Sequence, residues 1–99
     1  GEEEITQINE TTCTVDGTTD LDEIDELVGI EFPEGDYDTL GGFVISLLGY
    51  LPSEIGDEPI IAEYKNLRFT ILSIDERRID EIKVEILPDP EKDEEDNKE

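Results

Sequence analysis

Histidine, methionine and tryptophan are absent from this 99-residue chain, cysteine occurs once, and no lysine or arginine precedes Lys65. Each absence closes a class of chemistry. A serine or cysteine nucleophile has no imidazole base to activate it. A transition-metal site lacks its commonest nitrogen donor and has at most one thiolate. The single cysteine, Cys13, rules out an internal disulfide and suits a reducing compartment. Flanked by Thr12 and Thr14 in a β-branched run, it reads as a small buried hydrophobe. The missing initiator methionine leads to the expectation that the chain is a piece of something larger. No signal-peptide pattern is present. The longest apolar stretch, Leu40 to Leu51, has twelve residues, too few to cross a bilayer that needs ~20.

What is present is acid. Thirty Asp and Glu stand against seven Lys and Arg, for a net charge of −23, and residues 1–64 hold eighteen of the acids with no base. Nucleic-acid binding is excluded, because phosphate backbones require Lys/Arg neutralisation. Direct binding to anionic lipid is excluded for the same reason. The partners left are cations and basic protein surfaces, and acid alone also serves solubility.

The periodicities predict an α+β domain, ordered β-β-α-α-β-β-β, with a mostly antiparallel sheet of about five strands covered by two helices. Residues 1–4 form an acidic lead-in. Ile5–Ile8 and Thr12–Val15 are β-branched runs on either side of Asn9-Glu10-Thr11, a hairpin pattern, and Asp16-Gly17 supplies a turn. Asp20 and Glu23 have capping-box spacing, Leu21, Ile24, Leu27 and Val28 make one helical stripe, and Gly29 stops the helix. A second helix over about Thr39–Leu48, capped by Asp38 or Thr39, has almost no charge and is expected to be the most buried element. Gly49 and Pro52 end it. Ile60–Tyr64 and Leu67–Ile74 flank a two-residue turn, Lys65-Asn66, in which Asn is expected to take the left-handed position. Ile79–Leu87 closes the fold with Ile82, Val84 and Ile86 facing inward. Residues 5–87 form the folding unit, and residues 88–99 read as a disordered acidic tail.

Carboxylates are the natural ligands of hard cations. Asp20–Glu26 superficially looks like a calcium loop, but Ile24 stands where a ligand belongs and Asp25 where glycine is obligatory. Glu34, Asp36 and Asp38 are better candidates for a weakly bound Mg²⁺ or Ca²⁺, against the alternative of a solvated turn and helix cap. Gly41-Gly42 opens the second helix, where free amides can hold phosphate. The neighbouring acids Glu31, Glu34, Asp36 and Asp38 would repel that anion, and no phosphate-loop motif follows, so close packing is the favoured role. Carboxylate pairs are too common here for any one to signal acid–base catalysis.

The run Asp36-Tyr37-Asp38-Thr39-Leu40-Gly41-Gly42, with the Leu21–Val28 helix and Phe32-Pro33 before it, resembles the CorC/HlyC-type transporter-associated domain. Leu48-Gly49, Leu51-Pro52, Gly56-Asp57, Leu67-Arg68-Phe69, Ile74-Asp75, Arg77-Arg78-Ile79 and Val15-Asp16-Gly17 extend the likeness over roughly residues 5–87. The resemblance implies a domain at the C-terminus of a membrane protein, on the cytoplasmic side, after a transmembrane region and paired CBS domains. Such parents are linked to magnesium and cobalt efflux or are called hemolysin-like, which implies no toxin activity for this piece. It also implies a modulatory role in ion transport and a fold like part of a flavin-binding module, with no flavin site, cofactor or catalytic residue carried over. Two departures are the extra acid and Lys65-Asn66 in place of the family's usual Asp-Gly. The expected role is therefore accessory and non-enzymatic. Docking would be on the upstream CBS and membrane regions, or on a second copy as a homodimer. Phe32 and Tyr37 are the expected surface, with an edge strand, Ile79–Leu87 or Ile5–Ile8, and the acidic face around Asp22 and Glu26 would set orientation.

Overall fold

A computed structural model describes residues 5–88; the expectations for the lead-in and for residues 89–99 lie outside the described residues. The elements, in chain order, are β1 (Ile5–Gln7), β2 (Thr12–Asp16), α1 (Leu21–Val28), α2 (Leu40–Leu48), β3 (Ile61–Tyr64), β4 (Leu67–Asp75) and β5 (Arg78–Ile86). The strands form one antiparallel sheet in the order β1-β2-β5-β4-β3. Fold class and element order are those the periodicity requires. One strand is placed differently. Ile79–Leu87 is not an edge: β5 lies between β2 and β4, with Ile79, Ile82 and Val84 all buried and both its sides hydrogen-bonded. The edges are β1 and β3.

Alternation divides the sheet into two faces. Cys13 and Val15 of β2, Ala62 of β3, Leu67, Phe69 and Ile71 of β4, and Ile82 and Val84 of β5 bury themselves against Leu21 and Ile24 of α1 and Leu40, Phe43 and Val44 of α2. The opposite face carries polar rows in register, such as Thr12, Glu85, Arg68 and Glu63. Arg68 and Glu63 are ion-paired there at 3.1 Å, both well exposed, and such a pair adds little stability.

Three local details depart from the sequence expectation. The Asp20 side chain makes no capping bond. The Glu23 amide that a capping box would use is instead bonded to the Asp20 carbonyl at 3.1 Å, while Asp20 itself bridges to Thr39 in antiparallel fashion. In the β3–β4 turn the left-handed residue is Lys65 (φ 54°), not Asn66. Asn66 is held by Leu87: its side-chain amide donates to the Leu87 carbonyl at 3.1 Å and its carbonyl accepts from the Leu87 amide at 2.7 Å. Finally, α2 is not buried throughout. Leu47 is 37% exposed and Ser46 is exposed, as is Leu27 at the end of α1.

Candidate functional site

The Asp36–Gly42 run does its work through backbone geometry. β4 and β5 lose register between Ile71 and Ile74, where Ser73 pairs with Glu81 and Ile74 with Ile79. The irregularity leaves Asp80 out of the β4–β5 backbone register and presents its carbonyl to Gly17, whose amide donates to it at 2.9 Å. A Cβ on Gly17 would stand 2.1 Å from the Ile79 carbonyl oxygen, so only glycine fits this approach. The Gly17 carbonyl in turn accepts from the Gly41 amide at 2.8 Å, and a Cβ on Gly41 would fall 2.9 Å from that oxygen. The first turn of α2 is thereby fastened onto the β2–α1 turn.

This closes the phosphate alternative for Gly41-Gly42. The four amides that open a helix are normally free to hold an anion. Here Leu40 donates to the Thr19 carbonyl at 2.9 Å, Gly41 to the Gly17 carbonyl and Gly42 to Thr39 Oγ1 at 3.2 Å, while Phe43 makes the first regular helical bond, to the Thr39 carbonyl at 3.0 Å. The free amides of Leu40, Gly41 and Gly42 are all engaged within the chain, and Thr39 is the cap. The glycines serve packing.

The same run sets an aromatic cluster. Phe43 is buried at the centre, with ring centroids of Phe32 at 5.0 Å, Tyr37 at 5.1 Å, Tyr64 at 5.2 Å and Phe69 at 6.1 Å. Four near-perpendicular contacts of this kind each add ~0.5–1.5 kcal/mol beyond area burial. The Tyr37 hydroxyl donates to the Pro33 carbonyl at 2.7 Å, which folds the Glu34–Asp36 turn back on itself. Phe32 and Tyr37, expected at a docking surface, are half-buried and packed against the core. Among the six aromatics, Tyr50 alone lies outside this cluster, 55% exposed.

The acidic candidates are partly gathered. Asp20, Asp22, Asp25, Glu31, Glu34 and Asp38 line a groove of about 730 Å³ between α1 and the Glu31–Asp38 segment, with Phe32 and Tyr37 in its wall. Asp36 faces a neighbouring depression with Glu34 and Asp38, and Glu26 is exposed on α1 outside the groove. Among the described residues no group of three or more His, Cys, Asp or Glu converges closely enough to hold a metal ion. Cys13 is buried on β2, and burial pushes its thiol above the ordinary value of 9.0; it is unsuited to act as a nucleophile at neutral pH. Sequence reasoning missed the roles of Gly17 and Asp80. The only signal for Gly17 was the Asp16-Gly17 pair, which reads equally well as a simple turn.

These features define a small two-layer domain whose recognisable run is a structural fastening. The sequence profile of CorC_HlyC, the transporter associated domain, matches residues 6–88, and the chain belongs to that family. It is 36% identical over 85 residues to the polyamine export protein of Escherichia coli strain K12, a match covering 84% of this chain and 18% of that protein. Identity is 33% over 82 residues to the magnesium and cobalt efflux protein CorC of Pasteurella multocida, covering 83% and 26% respectively. A hemolysin domain from Enterococcus faecalis V583 superposes with a TM-score of 0.77 at 26% identity over 87% of this chain and all of that one. The CorC_HlyC domain of a Xylella fastidiosa Temecula1 hemolysin, solved in complex with Mg²⁺ and Mn²⁺, gives a TM-score of 0.69 at 27% identity with the same coverage. The chain thus spans about a quarter or less of the curated relatives named, and corresponds to one part of such proteins. Among the described residues no helix is long and apolar enough to cross a membrane.

Proposed function

We propose that this chain is the accessory C-terminal domain of a membrane protein that exports divalent cations, and that it modulates transport by docking on the CBS and membrane regions of its parent. The observation that carries the reading is the family match over residues 6–88, in relatives named for magnesium and cobalt efflux and for polyamine export. The closed first turn of α2 supports docking over chemistry, since the one motif suited to an anionic substrate has its amides occupied. The test deletes residues 5–87 from the full-length protein and compares Mg²⁺ and Co²⁺ efflux at matched expression and assembly. Altered flux is the expected result; unchanged flux would remove the support, and turnover of a small substrate by the isolated domain would refute it.

A second reading, direct cation sensing, is favoured by one observation, the groove with six carboxylates in its wall. The Xylella domain solved with Mg²⁺ and Mn²⁺ makes the divalent ions the first ligands to try, and the polyamine exporters among the relatives add spermidine. Calorimetric titration of the domain with Mg²⁺, Ca²⁺ and spermidine distinguishes the readings. A saturable site lost in Asp22→Asn/Asp38→Asn would establish sensing; heats no larger than ionic-strength controls would leave docking alone.

A further inference from the structure

Charge is spread through this chain so densely that 37% of its residues are Asp, Glu, Lys or Arg, yet the fifteen from Thr39 to Ser53 include none. Burial accounts for the first part of that window, where Leu40, Phe43 and Val44 are in the core. It does not account for the second. Leu47, Tyr50, Leu51 and Ile55 are 37%, 55%, 41% and 38% exposed, and Ile61, on the edge strand β3, is 43% exposed. α2 packs over β3, so Leu47 and the following Tyr50, Leu51 and Ile55 belong to the α2–β3 end of the fold, while Ile61, next to buried Ala62, lies on the outer face of that edge strand. The segment from Gly49 to Ile60 that joins the two elements contains no helix or strand. Connections this long in small domains are commonly functional. Ile61 and Glu63 also alternate with Ala62 and Tyr64 on a strand that, among the described residues, is hydrogen-bonded on one side only, and an unpaired edge is a ready template for another chain.

Charge decides what this surface fits. Glu54, Asp57, Glu58 and Glu63 are exposed within and just after the same segment, and the molecule as a whole is at −23. Apposing two such ends in a homodimer would bring like charges together around the apolar contact, and an anionic bilayer meets the same repulsion. A protein segment with apolar side chains in its centre and Lys or Arg on its flanks satisfies both parts of the surface. We infer that the α2–β3 end, centred on Leu47, Tyr50, Leu51 and Ile55, is the docking surface of this domain, and that its partner is such a basic-flanked apolar segment. The inference rests on the docking reading above and names the surface that performs it.

The test is a titration of the isotopically labelled domain, followed by NMR, with a synthetic helical peptide of about 18 residues bearing leucine at i, i+3, i+4 and i+7 and lysine on both flanks. Shifts confined to residues 45–63, with affinity reduced by about tenfold or more in Tyr50→Ser/Leu51→Ser and unchanged in Asp22→Asn/Glu26→Gln, are expected. Both pairs are at exposed positions, so unchanged spectra of the free variants show that folding is intact. Equal binding of a scrambled peptide, shifts centred on the α1 acids, dimerisation through residues 45–63 in sedimentation, or uptake by phosphatidylglycerol vesicles would each overturn the inference. The deletion experiment is independent of it. Altered efflux on deletion with a negative peptide result leaves the docking role intact and moves its surface elsewhere; unchanged efflux removes the role itself.

Discussion

Gly17→Ala is a one-carbon change whose cost follows from the contacts around it. The added Cβ would stand 2.1 Å from the Ile79 carbonyl oxygen, well inside the 3.4 Å at which ordinary contact begins. The obstacle is backbone in the sheet, so relief requires the β2–α1 turn to withdraw by more than an ångström. That movement breaks the Gly17–Asp80 bond of 2.9 Å and loosens the Gly41–Gly17 bond of 2.8 Å, each a net ~1 kcal/mol. Residual overpacking adds ~1–3 kcal/mol. The lowered entropy of the unfolded chain returns ~0.4–1 kcal/mol, leaving a loss of about 3 kcal/mol. At ~4–8 °C per kcal/mol for a domain of this size, the melting temperature should fall by at least ~12 °C. Calorimetry or thermal circular dichroism reads this directly, with Gly56→Ala as the matched control. Among the described residues nothing lies within 4 Å of a Cβ there, so stability should hold or rise slightly. A Gly17→Ala midpoint within ~4 °C of the parent would refute the reasoning, because it would mean that the turn has room the geometry denies.

Three further outcomes are expected. Glu76→Gly relieves a left-handed residue (φ 58°), worth ~1–2 kcal/mol, against a glycine entropy cost of ~0.5–1 kcal/mol; the melting temperature should rise by a few degrees, and a fall would contradict the assignment. The raised thiol of Cys13 makes the neutral form the folded one: its contribution is intact below pH 9.0, the ordinary value, and is lost as pH climbs from there through the folded value. The stability gap between the parent and Cys13→Ala in urea denaturation should therefore be constant at lower pH and close only on the alkaline side, and profiles parallel throughout would show that burial does not hold the thiol neutral. The self-repulsion of residues 1–64 is screened over ~10 Å at 0.1 M salt, so stability should rise with ionic strength, more with divalent than monovalent ions at equal strength; a salt-independent melting curve would count against it.

Element order was legible because period-2 runs and helical stripes are long here and punctuated by glycine. Strand order was not. β5 has the composition of either an edge or a centre, and only its pairing with β2, far away in sequence, decides the matter. Capping failed at Asp20 for a similar reason: a tertiary bridge to Thr39 displaced the local solution that the side chain offered. Lys65 took the left-handed position while Asn66, the better intrinsic choice, was drawn to Leu87. In the candidate site, the packing role of Gly41-Gly42 could be read from the acids around it. The burial of Phe32 and Tyr37 could not, since an aromatic beside proline and glycine looks the same in sequence whether it faces Phe43 or solvent. Leu47 misled in the opposite direction, because a helical stripe records apolar spacing without saying how much of it the rest of the chain covers.

The central position of β5 has a consequence for how this domain comes into being. The β1–β2 and β3–β4 hairpins are local and can form as soon as they are made. Neither can join the other until the final strand slides between them, since β2 and β4 each take β5 as neighbour. On the ribosome the sheet therefore stays in two halves until Arg78–Ile86 has emerged. Until then Val15, Phe69 and the apolar sides of both helices face water, beside strand edges open to any passing chain. A polypeptide cut short before Arg78 lacks the one piece that makes the other six a single body. It would present quality-control proteases with sticky halves rather than a slightly weakened domain.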